Sequence, residues 1–390
     1  MEGIEKAKEH FGKLLEKQLK RVEMMKAQGD FVDYAKKDKI IIGVTGGDGI
    51  GPKITHEAAR IMEFLLKDEI AKIAHILNIP VANTLMGTGS FPADDDLAIG
   101  LLGMNGNSWT NYAVSNCDVL FAVGTRFNDK VTGNIQTFCP KAKIIHIDID
   151  KENLNKNVKA DIVISGDAKS ILSEMLMSVD INYNNGSRNK WLNDINSQKC
   201  NCDNKEIKTK KISSNSLIRK ISECMENINP IVCTEVGQHQ IWTARSYKFN
   251  EPRKFITSGG LGTMGFGFPA AIGAAIAKPN DIIINIAGDG SIQMNIQELM
   301  TCVDYNLNVK IFIINNGYLG MVRQMQEISC DKRYSETQIT SPDYVKLAEA
   351  YGALGIRVKK EVDVEKAIKK AIKHQGPVLI DFIVEPFEIL

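Results

Sequence analysis

What the chain lacks narrows it first. It has no apolar run long enough to cross a bilayer as a helix, so a helical membrane protein is not expected. It lacks an excess of either charge: 48 Lys and Arg against 47 Asp and Glu leave a formal net charge of +1. Such a balance gives no bulk attraction for nucleic acid or an anionic membrane. It also lacks paired cysteine motifs. Eight cysteines are scattered, and only Cys200 and Cys202 are close, with no second Cys or His pair at zinc spacing. This reads as the reduced thiols of a cytoplasmic protein, not a disulfide or zinc scaffold. The opening residues, "MEGIEKAKEHFGKLLEKQLKRVEMM", mix acids with bases, unlike a secretory signal or an acid-poor transit peptide.

What is present is ordinary globular material. The 390 residues are 44% hydrophobic and 24% charged, enough for two or three domains with sizeable cores. Residues 1–38 carry Ile4, Ala7, Phe11, Leu14, Val22 and Met25 at helical spacing and predict an amphipathic helix. From 39 to 180 short apolar segments alternate with helical ones: "KIIIGV", "IPVAN", "DVLFAVG", "AKIIHIDID" and "ADIVIS" among helices such as "SWTNYAVSN". Residues 181–214 are rich in Asn, Lys and Ser and read as a linker with a short helix around Trp191. Alternation resumes over 215–390 with "PIVCTEV", "KFITSG", "IIINIAG", "VKIFIIN", "GIRVKK" and "PVLIDFIVE". The fold class expected is α/β, with two doubly wound parallel-sheet domains. Ligands of such sheets sit at the carboxyl ends of the strands.

Two glycine turns occupy such positions: "GVTGGDGIGP" near residue 48 and "IAGDGS" near residue 289. The second has company. Gly288, Asp289 and Gly290 end one buried strand, and Asn315 and Asn316 end another. Neighbouring parallel strands would bring an Asp289 carboxylate, an Asn316 amide oxygen and the Tyr318 carbonyl together. Three such oxygens are about half of an octahedral Mg²⁺ shell, which water and substrate phosphates usually complete. Gly290 lets backbone come close, and Ser291 begins a helix whose amides favour an anion.

A strand, GDG, a helix, a strand and then NN resembles the thiamine-diphosphate (ThDP) motif of the decarboxylase and synthase superfamily. "TEVGQHQIW", "TSGGLGTMGFGFPAAIGAA", "NNGYLGMVRQMQ", "IPVANTLMGTGSFP" and "VGTRFNDKVTGNIQTFCPKAKIIHIDID" further resemble acetolactate synthase catalytic subunits, over about residues 71–385. The resemblance implies a transferase of branched-chain amino-acid biosynthesis acting on pyruvate and a second 2-oxo acid. It places Mg²⁺ on Asp289, Asn316 and Tyr318, and the diphosphate on Gly237, Gln238, His239, Gly288, Gly290 and Ser291. Gly262 and Met264 would hold the aminopyrimidine, the methionine wedging the cofactor into a bent form. FAD would lie on Thr84, Leu85, Met86, Gly103, Met104, Gly124, Arg126, Lys130, Val131, Asp148, Ile149 and Asp167. Three departures stand out: Asn105 replaces the histidine of "GMHG", Asn128 and Lys130 alter "RFDDRV", and Met325 replaces a tryptophan linked to second-substrate choice.

The family's pyrimidine domain, with the glutamate that activates ThDP, has no counterpart ahead of residue 71, so the activating Glu is expected to be absent. A homo-oligomer or a partner chain would have to supply that domain. Residues 1–70 instead resemble the start of the isocitrate and isopropylmalate dehydrogenase family, through "IIIGVTGGDGIGPKITHEAARIMEFLL". None of that family's downstream catalytic residues follow. The chain thus reads as chimeric, with residues 39–70 expected to replace the first βα unit of the middle domain. That expectation requires the 39–44 segment to pair with "DVLFAVG".

Overall fold

The computed structural model describes residues 40–44, 67–179, 186–203 and 211–390. The helix expected over 1–38 and the glycine turn near residue 48 lie outside the described residues. Residues from Asp38 to the end belong to one compact unit, built on two six-stranded sheets.

The first sheet has strands β1 (Ile40–Val44), β2 (Val81–Asn83), β3 (Ala98–Leu101), β4 (Val119–Val123), β5 (Lys143–Asp148) and β6 (Ile162–Ser165). Their order is β3-β2-β1-β4-β5-β6, and every pair is parallel. This is a dinucleotide-fold order, with its topological switch between β1 and β4. β1 does pair with the "DVLFAVG" strand, Ile40 facing Val119 and Val44 facing Val123. β4 is buried along its whole length, as a central parallel strand should be.

The stretch expected to be a linker with a short helix is different. Gly186–Asp203 forms one helix of 18 residues. Trp191 and Ile195, one turn apart, are buried in the first-sheet core with Ala113, Val114 and Leu120. Tyr112 donates to the Asp194 carboxylate at 2.9 Å, and Arg188 donates to the Leu77 carbonyl. Three buried side chains, Arg188, Trp191 and Ile195, and the half-buried Asp194 therefore hold this helix, and it belongs to the first lobe.

The second sheet has β7 (Ile231–Thr234), β8 (Phe255–Thr257), β9 (Ile283–Gly288), β10 (Val309–Asn315), β11 (Leu354–Val358) and β12 (Val378–Ile383). The order β11-β12-β10-β9-β7-β8 is again all parallel. Alternate residues of each strand go to opposite faces. Ile284, Ile286, Phe312, Ile314, Ile380 and Phe382 pack with the helix Ser214–Met225, which contributes Leu217, Ile218, Ile221 and Met225. Ile283, Ala287, Ile311, Ile313 and Leu379 pack on the other face with Phe268, Leu299 and Tyr344. Each such fully buried side chain is worth about 1.5–3 kcal/mol, so both faces fix the sheet and hence the strand ends.

The lobes meet through backbone. Arg245 donates from Nε to the Asn105 carbonyl at 2.6 Å and from Nη2 to the Gly106 carbonyl at 2.7 Å.

Candidate active site

In the second sheet the connections reverse direction between β7 and β9, the switch point at which ligands of open α/β sheets bind. The ends of β7, β9 and β10 open there onto one cavity of about 70 Å³. Gly237, Gln238, His239, Met264, Gly288, Asp289, Gly290, Ser291, Asn316 and Tyr318 all line it. Of the residues expected at metal, diphosphate and wedge, only Gly262 lies outside the lining. It sits two residues before Met264, exposed, at φ 66°, where glycine is favoured.

Asp289 is 1% exposed. Its Oδ2 accepts from the Gly317 amide and the Ser341 hydroxyl, each at 3.1 Å. No cation of the described residues stands among its neighbours, and burial pushes its carboxyl up to about 6. Asn316 presents its amide oxygen beside it and accepts from the Tyr318 amide at 3.0 Å, which turns the loop back. Leu319 donates to the Thr337 carbonyl and Ile339 to the Gly317 carbonyl, bracing that turn. The Asn315 side chain faces away and donates to Asp381 at 2.9 Å, while Arg357 Nε donates to the other Asp381 oxygen at 2.9 Å. The first Asn of the pair is thus an anchor, and the second is free to face the pocket. Among the described residues no cluster of three His, Cys, Asp or Glu exists, so the donors here are carboxylate, amide and carbonyl oxygens. Such oxygens suit a hard divalent cation.

The diphosphate side is built around His239. Its ring packs against two glycines: a Cβ on Gly237 would come within 2.8 Å of Cε1, and one on Gly288 within 3.1 Å of Nδ1. Burial pushes His239 down to about 4, which leaves a neutral imidazole near pH 7. Its Nε2 and the Gln238 Oε1 are buried with no hydrogen-bond partner in the protein. Unpaired buried polar atoms are costly, and a ligand in the cavity would relieve them. Ser291 lies in a four-residue helix that starts at Asp289, not at Ser291. Its hydroxyl exchanges hydrogen bonds with the Gly288 backbone at 3.0 and 3.2 Å.

The residues expected around FAD are spread along the carboxyl edge of the first sheet. Thr84 follows β2, and Leu85 and Met86 form a 3₁₀ turn. Gly103 and Met104 follow β3 and abut Lys130 and Val131: the Met104 amide donates to the Lys130 carbonyl at 2.7 Å. Gly124 follows β4, at φ 67°, and Arg126 lies two residues on. Asp148 ends β5, its carboxylate accepting from the Asp150 amide at 2.8 Å, with Ile149 next to it and exposed. Asp167 caps the helix Ala168–Ser178 through Ser170. The edge reaches the loop after β8 of the second sheet: the Gly259 backbone packs so closely on Met86 that a Cβ there would lie 2.4 Å from its sulfur.

A second cavity, of about 1290 Å³, opens between the lobes, beside Trp109, Arg219, Arg245 and Tyr247. None of the residues expected at metal, diphosphate or wedge lines it. Sequence reading missed Glu235. It is fully buried at the end of β7, and its carboxylate accepts from the Gly265 amide at 2.6 Å and the Phe268 amide at 2.9 Å. An acid just before "VGQHQ" was the available signal.

Comparison with known proteins agrees with this geometry. Residues 235–382 match the thiamine pyrophosphate enzyme C-terminal TPP binding domain. Residues 61–175 match the thiamine pyrophosphate enzyme central domain, ten residues earlier than the resemblance placed at 71. A probable acetolactate synthase large subunit of Methanocaldococcus jannaschii is 44% identical over 330 residues, 83% of this chain and 56% of the relative. The acetolactate synthase large subunit of Cyanidium caldarium is 44% identical over 331 residues, 82% and 55% of the two chains. The acetolactate synthase isozyme 3 large subunit of Escherichia coli is 39% identical over 328 residues, 82% and 57%. The chain spans about half the length of the curated relatives it matches.

Proposed function

Because this chain belongs to the thiamine pyrophosphate enzyme family, we propose that its second lobe binds Mg²⁺ and ThDP for acetolactate synthase chemistry. The single observation that carries this is one cavity joining an unpaired buried carboxylate, an amide oxygen and two orphaned polar atoms. Asp289, Asn316 and the Tyr318 carbonyl would hold Mg²⁺, whose charge offsets the desolvation of Asp289. Gln238, His239 and the backbone of Gly237, Gly288, Gly290 and Ser291 would receive the diphosphate. Met264 would press on the aminopyrimidine side. When bound, ThDP supplies the carbon nucleophile for decarboxylating pyruvate and joining the remaining fragment to a second 2-oxo acid. The protein's part is to orient the group, neutralise its diphosphate and shed water from the cavity.

FAD is proposed on the edge of the first sheet. Its support is the dinucleotide-fold strand order and the exposed apolar Met104 and Ile149 beside the strand ends. The large-subunit relatives support a homo-oligomer or a mixed assembly as the working form. A second reading, a ThDP-binding subunit without turnover of its own, is favoured by the cavity lining, which holds no glutamate among the described residues. The test is acetolactate formation from pyruvate by the purified chain with Mg²⁺, ThDP and FAD. Turnover supports the first reading. ThDP binding without turnover supports the second. Absence of both overturns the two together. Met325, exposed on the helix Gly320–Ser329, is the position to vary for second-substrate preference.

A further inference from the structure

Glu235 is a buried carboxylate that lines neither of the two cavities described above and faces no cation in the described residues. Each of its oxygens is used on a backbone amide: Oε2 on Gly265 at 2.6 Å and Oε1 on Phe268 at 2.9 Å. The Phe268 amide lies in the first turn of the helix Gly267–Ala277 and Gly265 directly precedes its N-cap, Phe266, where the helix field favours a negative charge. The Gly265 amide is part of the peptide that leaves Met264. The carbonyl of Gly265 is held as well, by Asn295 Nδ2 at 2.6 Å. Gly265 has φ 90°, and a Cβ there would lie 2.8 Å from that same Asn295 nitrogen. Two residues on, a Cβ on Gly267 would lie 2.5 Å from the Glu235 nitrogen, so strand end and loop touch backbone to backbone. The residue after Met264 is therefore fixed on both sides, with β7 as the base.

We propose that Glu235 is a positioning residue: it sets Met264 against the pocket by gripping the peptide between Met264 and Gly265. This rests on the ThDP reading of that pocket. Glu235 itself would touch neither cofactor nor substrate. Its effect passes through one peptide bond to a side chain that lines the cavity. A charge-assisted hydrogen bond to a buried amide is strong enough to hold such a loop in one arrangement. An aspartate would fall one methylene short of both amides, and a glutamine would turn a donor toward one of them.

The experiment uses the full chain, as wild type and as Glu235→Gln and Glu235→Ala. Calorimetric titration in Mg²⁺ compares ThDP with inorganic pyrophosphate, which lacks everything Met264 would touch. Hydrogen exchange over residues 262–268 is followed without ligand. The expected result is a ThDP Kd raised about tenfold, the worth of one such hydrogen bond. The pyrophosphate Kd should change less than the ThDP Kd: Gly237, Gln238 and His239 follow Glu235 closely in the chain, but the amides that Glu235 grips, Gly265 and Phe268, lie on another loop. Exchange at Gly265 and Phe268 should speed up while the rest of the helix keeps its protection. Equal weakening of both ligands, or no change in either, overturns the positioning role. Unchanged exchange overturns the grip itself, whatever the ligands do. If wild type takes up pyrophosphate but not ThDP, the ThDP reading and the positioning role both fall, while faster exchange in the variants would still establish the grip. The two failures are thus read separately.

Discussion

The two sheets carry similar edges and use them differently. On the first, several polar groups at the strand ends are satisfied within the protein: Asp148 by the Asp150 amide, Asp167 by Ser170, the Gly103 amide by Asn111, while the buried Asn83 Oδ1 at the end of β2 is left open among the described residues. On the second, Asp289 is buried with no countercharge among the described residues, and His239 Nε2 and Gln238 Oε1, in the same cavity, have no partner among them. An edge that satisfies most of its groups folds with little help. An edge that leaves buried polar atoms open has given up stability for a ligand it expects. The comparison can be broken at either lobe.

The largest effect should come from Asp289→Asn. Losing the only carboxylate in the proposed metal shell should weaken Mg²⁺-dependent ThDP uptake at least about a hundredfold, read by calorimetry. The ligand-free variant should be no less stable than wild type, since a desolvated charge has been removed. A substitution that lowered both would put Asp289 in the self-satisfied class with Asp148.

The pH dependence of the ligand-free chain follows the same group. The Asp289 carboxyl titrates near 6 in the fold, above its ordinary value of 3.8. Between these values the folded chain holds a proton that the unfolded chain has released. Its contribution is therefore present below about pH 4 and is lost as pH rises through about 6. Thermal melts of wild type against Asp289→Asn from pH 4 to 7 should diverge in that window, and Mg²⁺ affinity should fall as pH drops below about 6.

Smaller effects sharpen the contrast away from ligands. Arg357→Ala leaves Asp381, 1% exposed, held by Asn315 without the guanidinium, and should cost about 2 kcal/mol in denaturant unfolding. It should also loosen the Asn315–Asn316 turn and weaken Mg²⁺ binding. In the first lobe Lys143→Ala removes a solvent-exposed pair with Asp161 at 2.9 Å and should cost under about 1 kcal/mol. Asp167→Ala removes a helix cap, worth about 1 kcal/mol, and should leave ThDP uptake unchanged.

Much of this was legible before the fold was known. Strands such as "VKIFIIN" and "IIINIAG" are mostly apolar because both faces are covered, and residues proposed for metal and diphosphate follow at their ends. What escaped was local weakness overruled by packing. β3, "AIGL", is four residues with a glycine and carries no period of its own; its place comes from pairing with β2. The helix Gly186–Asp203 is polar in composition, and only the buried Trp191 and Ile195 give it a face. For Glu235 the only signal was an acid just before "VGQHQ"; its partners are backbone amides, which leave no mark in sequence. Gly262 was placed by resemblance beside Met264, yet its own backbone lies outside the cavity lining.

The most direct test of the central claim is ThDP titration into the purified chain, with Mg²⁺ and then with EDTA. Saturable binding at one site per chain that disappears with EDTA is the predicted result. No binding, or binding indifferent to EDTA, would contradict a metal-bridged diphosphate site at Asp289.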